Sequence, residues 1–442
     1  MPVIDKSHYS AVLNSINETP NPVHHRIEFD IVAGGQVYKA ISLVEINDER
    51  NFIANYCGST TVVLSMTQEM FNKVVLPNKD DIRLIRRKLD IGEISNEVLP
   101  SSKLKVKTLA ATLLMTTDPA LQGAAPVDDG MVLSQYVFSV LELAVDQLRL
   151  TQAGGTFRYT TTLDIARAMY TSTSKGLKLP KEEMVLGVTC EPSDVTEPPK
   201  CTVVPPEVKL VDLVDYLQSK CGGIYNQGAG LYFQDRSWFI YPLYNTTRYK
   251  KAKYAADIVV LPPNQALGSD RTYVIKDSRL FIAATAGVRQ SNPQEIEYLN
   301  SGNGVRFVNA SSFNESPVKV AGNKATTKLN ENTAHISVKD RKAGLQSAPF
   351  SSSRITDNIA NELSKVAARS GQILHIPWQN CDPDLIIPGM PCRILFSDGS
   401  KDRELYGTIL GIQSHTRLSS PGITGVRYTT SSVLLVFANP LE

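Results

Sequence analysis

The sequence predicts a β-rich α+β fold, with two small antiparallel β-barrel-like domains and helical and loop segments between them. Three observations lead there. Residues 385–440 read as short runs of aliphatic, β-branched and aromatic side chains, each ended by a breaker at Pro388-Gly389, Asp398-Gly399-Ser400 or Ser419-Ser420-Pro421-Gly422. That punctuation belongs to an antiparallel meander. The apolar runs at 394–396 and 433–437 are nearly continuous, as expected of strands covered on both faces, and closure into a small barrel removes unpaired edges. Residues 24–115 repeat the strand-and-turn pattern.

The elements follow in order. Residues 1–22 are polar, end in Pro20-Asn21-Pro22 and read as an N-terminal arm. The first barrel-like domain, 23–130, opens with strands on either side of a Gly34-Gly35 hairpin turn. It continues through 52–66, a short helix opened by Ser65, Thr67 and Glu69, and strand-like runs at 80–89 and 102–115. A helical segment and Pro-rich linker span 131–208. Val137, Val140, Leu141, Ala144, Val145 and Leu148 fall at helical spacing, although Tyr136, Val137 and Phe138 also suit a strand; the period favours an amphipathic helix. A second short helix is expected over 162–170, with Thr162 as its N-cap. Five of the chain's 25 prolines crowd into 191–207, which predicts an extended linker.

Residues 209–285 predict a helix plus β-hairpin domain. Leu210, Leu213, Val214 and Leu217 form an apolar stripe stopped by Gly222-Gly223, and an aromatic hairpin follows around Gln234-Asp235-Arg236-Ser237. Residues 286–345 are rich in Asn, Ser, Gly and Lys, which predicts an exposed polar loop of the kind that touches other molecules. The last domain, 346–442, is a helix at 356–370 with Ile359, Leu363, Val366 and Ala367 as its stripe, followed by the second barrel-like meander.

Composition restricts the function classes. The chain has 442 residues, 42% hydrophobic and 20% charged, with a net charge of +2, so no global field attracts it to nucleic acid or membrane. No run approaches the length of a membrane-spanning helix, and the segment MPVIDKSHYS has neither the basic nor the apolar region of a secretory leader. Six scattered cysteines in such a chain predict reduced thiols made in a cytoplasm, the pair Cys190 and Cys201 included.

The search for chemistry assigns no catalytic, cofactor-binding or metal-ligating residue. There is no G-x-S-x-G, P-loop, H-E-x-x-H or C-x-x-C pattern. Ser-x-x-Lys occurs at Ser102, Ser172 and Ser316, a frequency that marks chance. The glycines of Gly222 to Gly230 follow a helix and precede a strand, the reverse of a phosphate loop, and are better read as a cap and turn. Arg248, Tyr249, Lys250, Lys251, Lys253 and Tyr254 make the strongest nucleic-acid candidate, yet a solvated face beside a strand explains them better. Arg83, Arg86, Arg87 and Lys88 are expected to cover one face of a short element. His335, His375 and His415 are read as ordinary structural or surface residues.

Two segments carry a family resemblance. The helix–hairpin unit KLVDLVDYLQSKCGGIYNQGAGLYFQDRSWFIYPLY resembles the corresponding unit of the baseplate hub proteins of T-even-like contractile-tailed bacteriophages. The C-terminal pattern formed by Leu385, Pro388, Gly389, Ile394, Phe396 and Asp398 is similar to the last barrel of that family. Together the two cover about a quarter of the chain, and the linker and the 286–345 segment have no counterpart, which marks a divergent member.

The resemblance implies a homotrimeric ring in which two barrels per subunit give pseudo-sixfold symmetry. It implies a tail tube protein on one side, a central spike protein on the other, and further baseplate proteins around it. DNA would meet the channel only in passage, at no specific nucleic-acid site. No cofactor and no catalytic residue carry over. The place implied is the tail baseplate of a virion, after synthesis in the bacterial host cytoplasm. Candidate ring contacts are 1–22, 286–345 and the barrel edges. Two other readings stand beside it: a tail-associated cell-wall or polysaccharide hydrolase of β-barrel build, and a secretion-system spike-like hub.

Overall fold

The computed structural model describes residues 6–17, 24–91, 104–116, 133–196, 198–262, 272–284, 288–291, 371–397, 402–419 and 428–439, with shorter pieces between 305 and 368. Helix α1 (Lys6–Asn17) lies where a polar arm is expected. Its Tyr9, Val12, Leu13 and Ile16 form one stripe, and the last three are buried against apolar side chains of the later sheet. A one-turn helix α2 (Gln68–Met70) punctuates seven strands: β1 (His24–Ala33), β2 (Gln36–Lys39), β3 (Ser42–Asn51), β4 (Ser59–Thr67), β5 (Ile82–Ile91), β6 (Lys105–Thr116) and β7 (Leu133–Glu142). Thr67 caps α2 by accepting from the Met70 N–H, whereas Ser65, also expected to open this helix, lies in β4. Strand β7 corrects the helix expected from the 137–148 spacing. Its residues alternate in burial and pair with both β4 and β6, so β-branched and aromatic side chains override the helical period up to Glu142.

The helical period is realised only in α3 (Leu143–Leu148), after which come β8 (Gly155–Arg158) and α4 (Thr162–Lys175). The N-cap of α4 is Thr161, whose hydroxyl accepts from the Asp164 N–H; Thr162 is instead buried and donates to Gly223 O. The Pro-rich stretch is held at both ends by β9 (Gly187–Cys190), parallel to the hairpin, and β10 (Cys201–Val204), antiparallel to β8. Helix α5 (Leu213–Lys220) then leads into the hairpin β11 (Ala229–Gln234) and β12 (Ser237–Pro242), whose turn residues Asp235 and Arg236 have φ of 49° and 63°. A core of Trp238, Phe233, Tyr170, Leu213 and Leu217 binds these pieces into one unit.

Further along lie β13 (Ala255–Val260), β14 (Tyr273–Lys276), β15 (Arg279–Ala284) and β16 (Arg289–Ser291). Within the expected polar loop, the described residues include β17 (Val305–Val308), β18 (Lys319–Ala321), β19 (Lys324–Leu329) and β20 (Asn332–Ser337). Strand β21 (Gln346–Pro349) pairs with β17. Of the helix expected over 356–370, only Ser364, Ala367 and Ala368 are described, and they are helical. The chain finishes with β22 (Gln372–Trp378), β23 (Pro391–Ser397), β24 (Asp402–Leu418) and β25 (Tyr428–Asn439).

The expected meander β23–β24–β25 is antiparallel, but the strands are not segregated into two separate sheets. One fifteen-stranded sheet holds both halves. Pairings run β24–β3–β4–β7–β6–β5–β1–β25 and return to β24, with β1 meeting β25 at His25 and Tyr428. That circuit encloses an apolar core of Phe29, Ile31, Leu64, Leu84 and Phe138. The opposite half of β24 pairs with β23, which pairs in parallel with β13, itself parallel to β15. These parallel pairs depart from the expected all-antiparallel build. Here the core contains Trp378, Ile394, Ile409, Val436 and Phe437, while Leu395 faces α1 from the other side of β23. Strand β24 changes partner at a bulge at Leu410, next to Gly411, whose Cβ would lie 2.7 Å from Arg50 O.

Candidate functional site

Two joints hold the N-terminal strand circuit, the helix–hairpin unit and the C-terminal strands together. Both involve the turn over 381–390, which leaves β22 and feeds β23.

The first joint is ionic. Alternation along β3 and β5 sends Asp48, Arg50, Arg86 and Lys88 to the same face as the buried Ile46, Ile82 and Leu84. At this end the circuit would hold buried cations without enough partners. The turn supplies them: Asp382 Oδ1 lies 2.6 Å from Lys88 Nζ, and Asp384 lies 2.9 Å from Arg50, 3.3 Å from Arg86 and 3.2 Å from Lys88. Arg50 also donates to Asp48 at 2.7 Å and to Pro383 O at 3.1 Å. Burial by itself opposes ionisation of Asp384, but Lys88, Arg86 and Arg50 outweigh it and hold the carboxyl well below its ordinary range. Asp382 is held low in the same way, with Lys88 the main opposing charge to burial. In return, Lys88 keeps its proton above the ordinary lysine range despite burial, because of Asp384 and Asp382. At the rim, Glu142 accepts from the Asp235 and Arg236 N–H groups at 3.2 and 3.3 Å and pairs with Lys107 at 2.8 Å, which docks the hairpin tip on β7.

The second joint is apolar and close-packed. Gly389 has φ of +67° and packs against the Tyr241 ring, where a Cβ would overlap the ring carbons. Tyr241 reaches past it to donate to Phe52 O at 2.9 Å. Gln234 donates to Ile386 O at 2.8 Å, and Ile386 and Met390 complete the second core. Arg248 crosses the same seam, donating to Gly389 O at 2.7 Å and to Thr408 Oγ1 at 3.3 Å.

Two basic runs therefore sit differently from the sequence expectation. Arg248 and Tyr249 are interior, and only Lys250, Lys251, Lys253 and Tyr254 form the solvated face. In β5 the run divides between faces: Arg86 and Lys88 turn inward, whereas Arg83 pairs with Asp81 and Arg87 with Asp30. Period 2 along a strand, which separates adjacent side chains, is the signal that would have divided it.

The remaining motifs hold structural positions. Gly223 donates to Leu217 O at 3.1 Å, the helix-capping role expected of the glycine-rich loop. Ser172 donates to Met169 O within its own helix, while Ser102 and Ser316 lie outside the described residues. His415 bonds Asn47 at 2.6 Å beside a polar groove lined by Thr61, Gln379, Gln413 and Ser431; His375 lies in β22 opposite Arg289. Cys57, Cys190, Cys381 and Cys392 are thiols outside any disulfide. Among the described residues no group of three or more His, Cys, Asp or Glu is placed to hold a metal ion, and no helix is long and apolar enough to cross a membrane.

No protein-family model matches the sequence, and no curated protein matches it. Solved structures do resemble the chain. The tail protein from Neisseria meningitidis MC58 is 9% identical, with a TM-score of 0.50 over 93% of this chain and 96% of that one. The 43 kDa tail protein of prophage MuSo2 from Shewanella oneidensis is 12% identical, with a TM-score of 0.47 over 94% and 97%. The Francisella PdpA–VgrG complex in its half-lidded form is 8% identical, with a TM-score of 0.47 over 99% and 62%. At 9% identity the Neisseria likeness shows a shared fold, from one end of both chains to the other.

Proposed function

We propose that this chain is a structural subunit of a phage tail, the baseplate hub that joins a sixfold tail tube to a threefold central spike and lines the channel for genome ejection. The observation that carries the reading is the end-to-end fold likeness to a tail protein, over 93% of one chain and 96% of the other. The internal build supports it. Two strand assemblies share β24 and β25, and we take them as the two similar bodies that the reading requires of each subunit. Three copies in a closed ring would then present six near-equivalent faces to a sixfold tube, through a heterologous interface that closes by rotation. A hub needs rigidity between its bodies rather than a reaction centre, and the two joints supply it.

Helix α1 packs Val12, Leu13 and Ile16 into the subunit's own core, and in this reading the ring contacts come from the outer face of the N-terminal segment, the 286–345 segment and the outer strands. Mass measurement of the purified protein, alone and mixed with tube and spike proteins from the same particle, tests the reading. The expected result is a species of three chain masses that captures both partners. A stable monomer that binds neither overturns it, as does polysaccharide or cell-wall hydrolysis lost on changing one carboxylate.

A further inference from the structure

We propose that the corner formed by the 248–254 turn and the β14–β15 hairpin is a docking surface for a nucleic-acid backbone, held by phosphate contacts that read no sequence. The register brings the cations together. Lys276 pairs with Arg279 across the hairpin, and Arg279 lies beside Ala255, the residue that follows Lys253 and Tyr254. The Arg279 guanidinium lies 4.5 Å from the centroid of the Tyr249 ring, so the turn that carries Lys250, Lys251 and Lys253 sits against the hairpin. The four lysines are exposed and Arg279 is half-buried. Among the described residues none of these cations pairs with a carboxylate. Asp257 and Glu404, which share this face, lie 2.7 and 3.9 Å from Arg393, and Asp257 also accepts from the Tyr249 hydroxyl. Of the described acids at this corner, Asp277 in the hairpin turn is left to oppose them.

The turn is anchored on its inner side. Arg248 donates to Gly389 O at 2.7 Å, its own carbonyl accepts from the Lys251 and Ala252 N–H groups at 3.0 Å, and Tyr249 is buried. The lysine backbones are thus held before any ligand arrives, which leaves mainly side-chain freedom to lose on binding. Composition decides the class of partner. Protein interfaces have an apolar and aromatic centre from which Lys is depleted, whereas nucleic-acid interfaces are more polar and far more positive. Among the described residues at this corner, Tyr254, 48% exposed, is the one large apolar side chain on the basic face. Ile275 is 57% exposed but pairs with Leu280, on the face of the second core. A membrane surface would also need apolar side chains to insert. The chain's net charge of +2 gives no long-range attraction, so the contact acts at short range and falls in the class of non-specific binding. The proposal goes beyond the tail reading and does not rest on it, since a single chain carries the surface.

Fluorescence anisotropy of a labelled DNA duplex of about 20 base pairs, titrated with the full chain, tests this. With one phosphate at each of the four lysines, the logarithm of the binding constant should fall against that of salt with a slope of about −3.6, a loss of about a hundredfold between roughly 50 and 200 mM. Lys251→Gln combined with Lys253→Gln removes two exposed charges and should halve the slope. Lys175→Gln combined with Lys178→Gln removes the same charge at exposed positions in and just after α4, and should leave the slope unchanged. Two duplexes of unrelated sequence should bind equally. The proposal is overturned if the duplex is not bound at the lowest salt, or if the Lys175 and Lys178 substitutions weaken binding as much as those at Lys251 and Lys253. Retention of polyglutamate or of anionic phospholipid vesicles, but not of the duplex, also overturns it and assigns the surface to an acidic protein or a membrane.

Discussion

The two joints made by the 381–390 turn differ in kind. At one end, Asp382 and Asp384 enter a cluster of buried cations; at the other, Gly389 lies on an aromatic ring with no room for a methyl group. The apolar joint stabilises by area and shape, so its worth follows from how much surface it removes from water. The ionic joint is close to balanced, because the attraction between the charges is set against the cost of taking them out of water. Its importance is therefore conditional: little is gained by having the whole cluster, but much is lost by having half of it. Such a joint admits one register of the turn against β5.

The largest effect should come from halving the ionic joint. Asp384→Ala leaves Arg50, Arg86 and Lys88 short of one carboxylate at three contacts. A loss of about 3–5 kcal/mol in unfolding free energy is expected from denaturant titration. Lys88→Met should also destabilise, by stranding Asp382, but Lys88→Met combined with Asp382→Leu should recover a good part of that loss. If the double variant is no better than the single one, the joint is held by its attraction and the contrast with the apolar joint fails. Gly389→Ala comes next. It adds a Cβ into the Tyr241 ring and imposes a left-handed backbone on alanine, at about 3 kcal/mol. Tolerance of that substitution would mean the turn is free to lift from the hairpin.

These two residues also mark how far the sequence could be read. Pro388-Gly389 is legible as a turn, because breakers between apolar runs have a local cause. That Gly389 lies on Tyr241 is not, since nothing in the spacing links positions so far apart. The same holds for Lys88 and Asp382, whose partnership rests on a pairing 294 residues apart. The β-rich character, the hairpin at Asp235-Arg236 and the α5 stripe are local patterns and were legible. The Tyr9, Val12, Leu13, Ile16 stripe of α1 was legible too, but its polar surroundings disguised it. Strand β7 was misread because Val137, Val140 and Leu141 fit two periods at once; the two flanking strands that decide between them lie elsewhere in the chain. The sharing of β24 between both halves depends on a bulge at Leu410, which leaves no compositional trace.

Acid should separate the joints without mutation. Asp382 and Asp384 titrate below the ordinary aspartate value of 3.8 in the folded protein. A depressed folded value contributes stability that is fully present above the unfolded value and lost as pH falls through the folded one. Unfolding free energy should thus stay level on this account through neutral pH and fall below about pH 4. Lys88, raised above its ordinary 10.5, also stabilises the fold but with the opposite pH slope: its share is full below that value and is lost as pH rises past it. In Asp384→Ala the acid limb should flatten, whereas in Gly389→Ala it should keep its wild-type slope. An acid limb unchanged by Asp384→Ala would assign it to other carboxylates.

The smallest effect tests the apolar joint where it becomes polar. Tyr241 is buried, and its hydroxyl donates to Phe52 O at 2.9 Å while its ring carries Gly389. Tyr241→Phe keeps the ring and removes only the hydroxyl. If shape holds this joint, the loss should be about 1 kcal/mol, the net worth of one hydrogen bond, with no change in denaturant slope. A loss as large as that of Gly389→Ala would mean that the bond to Phe52, and not the ring, seats the hairpin. Since Phe52 N–H itself donates to Leu410 O at 2.9 Å, at the bulge of β24, such a result would make the partner change of that strand depend on a single hydroxyl.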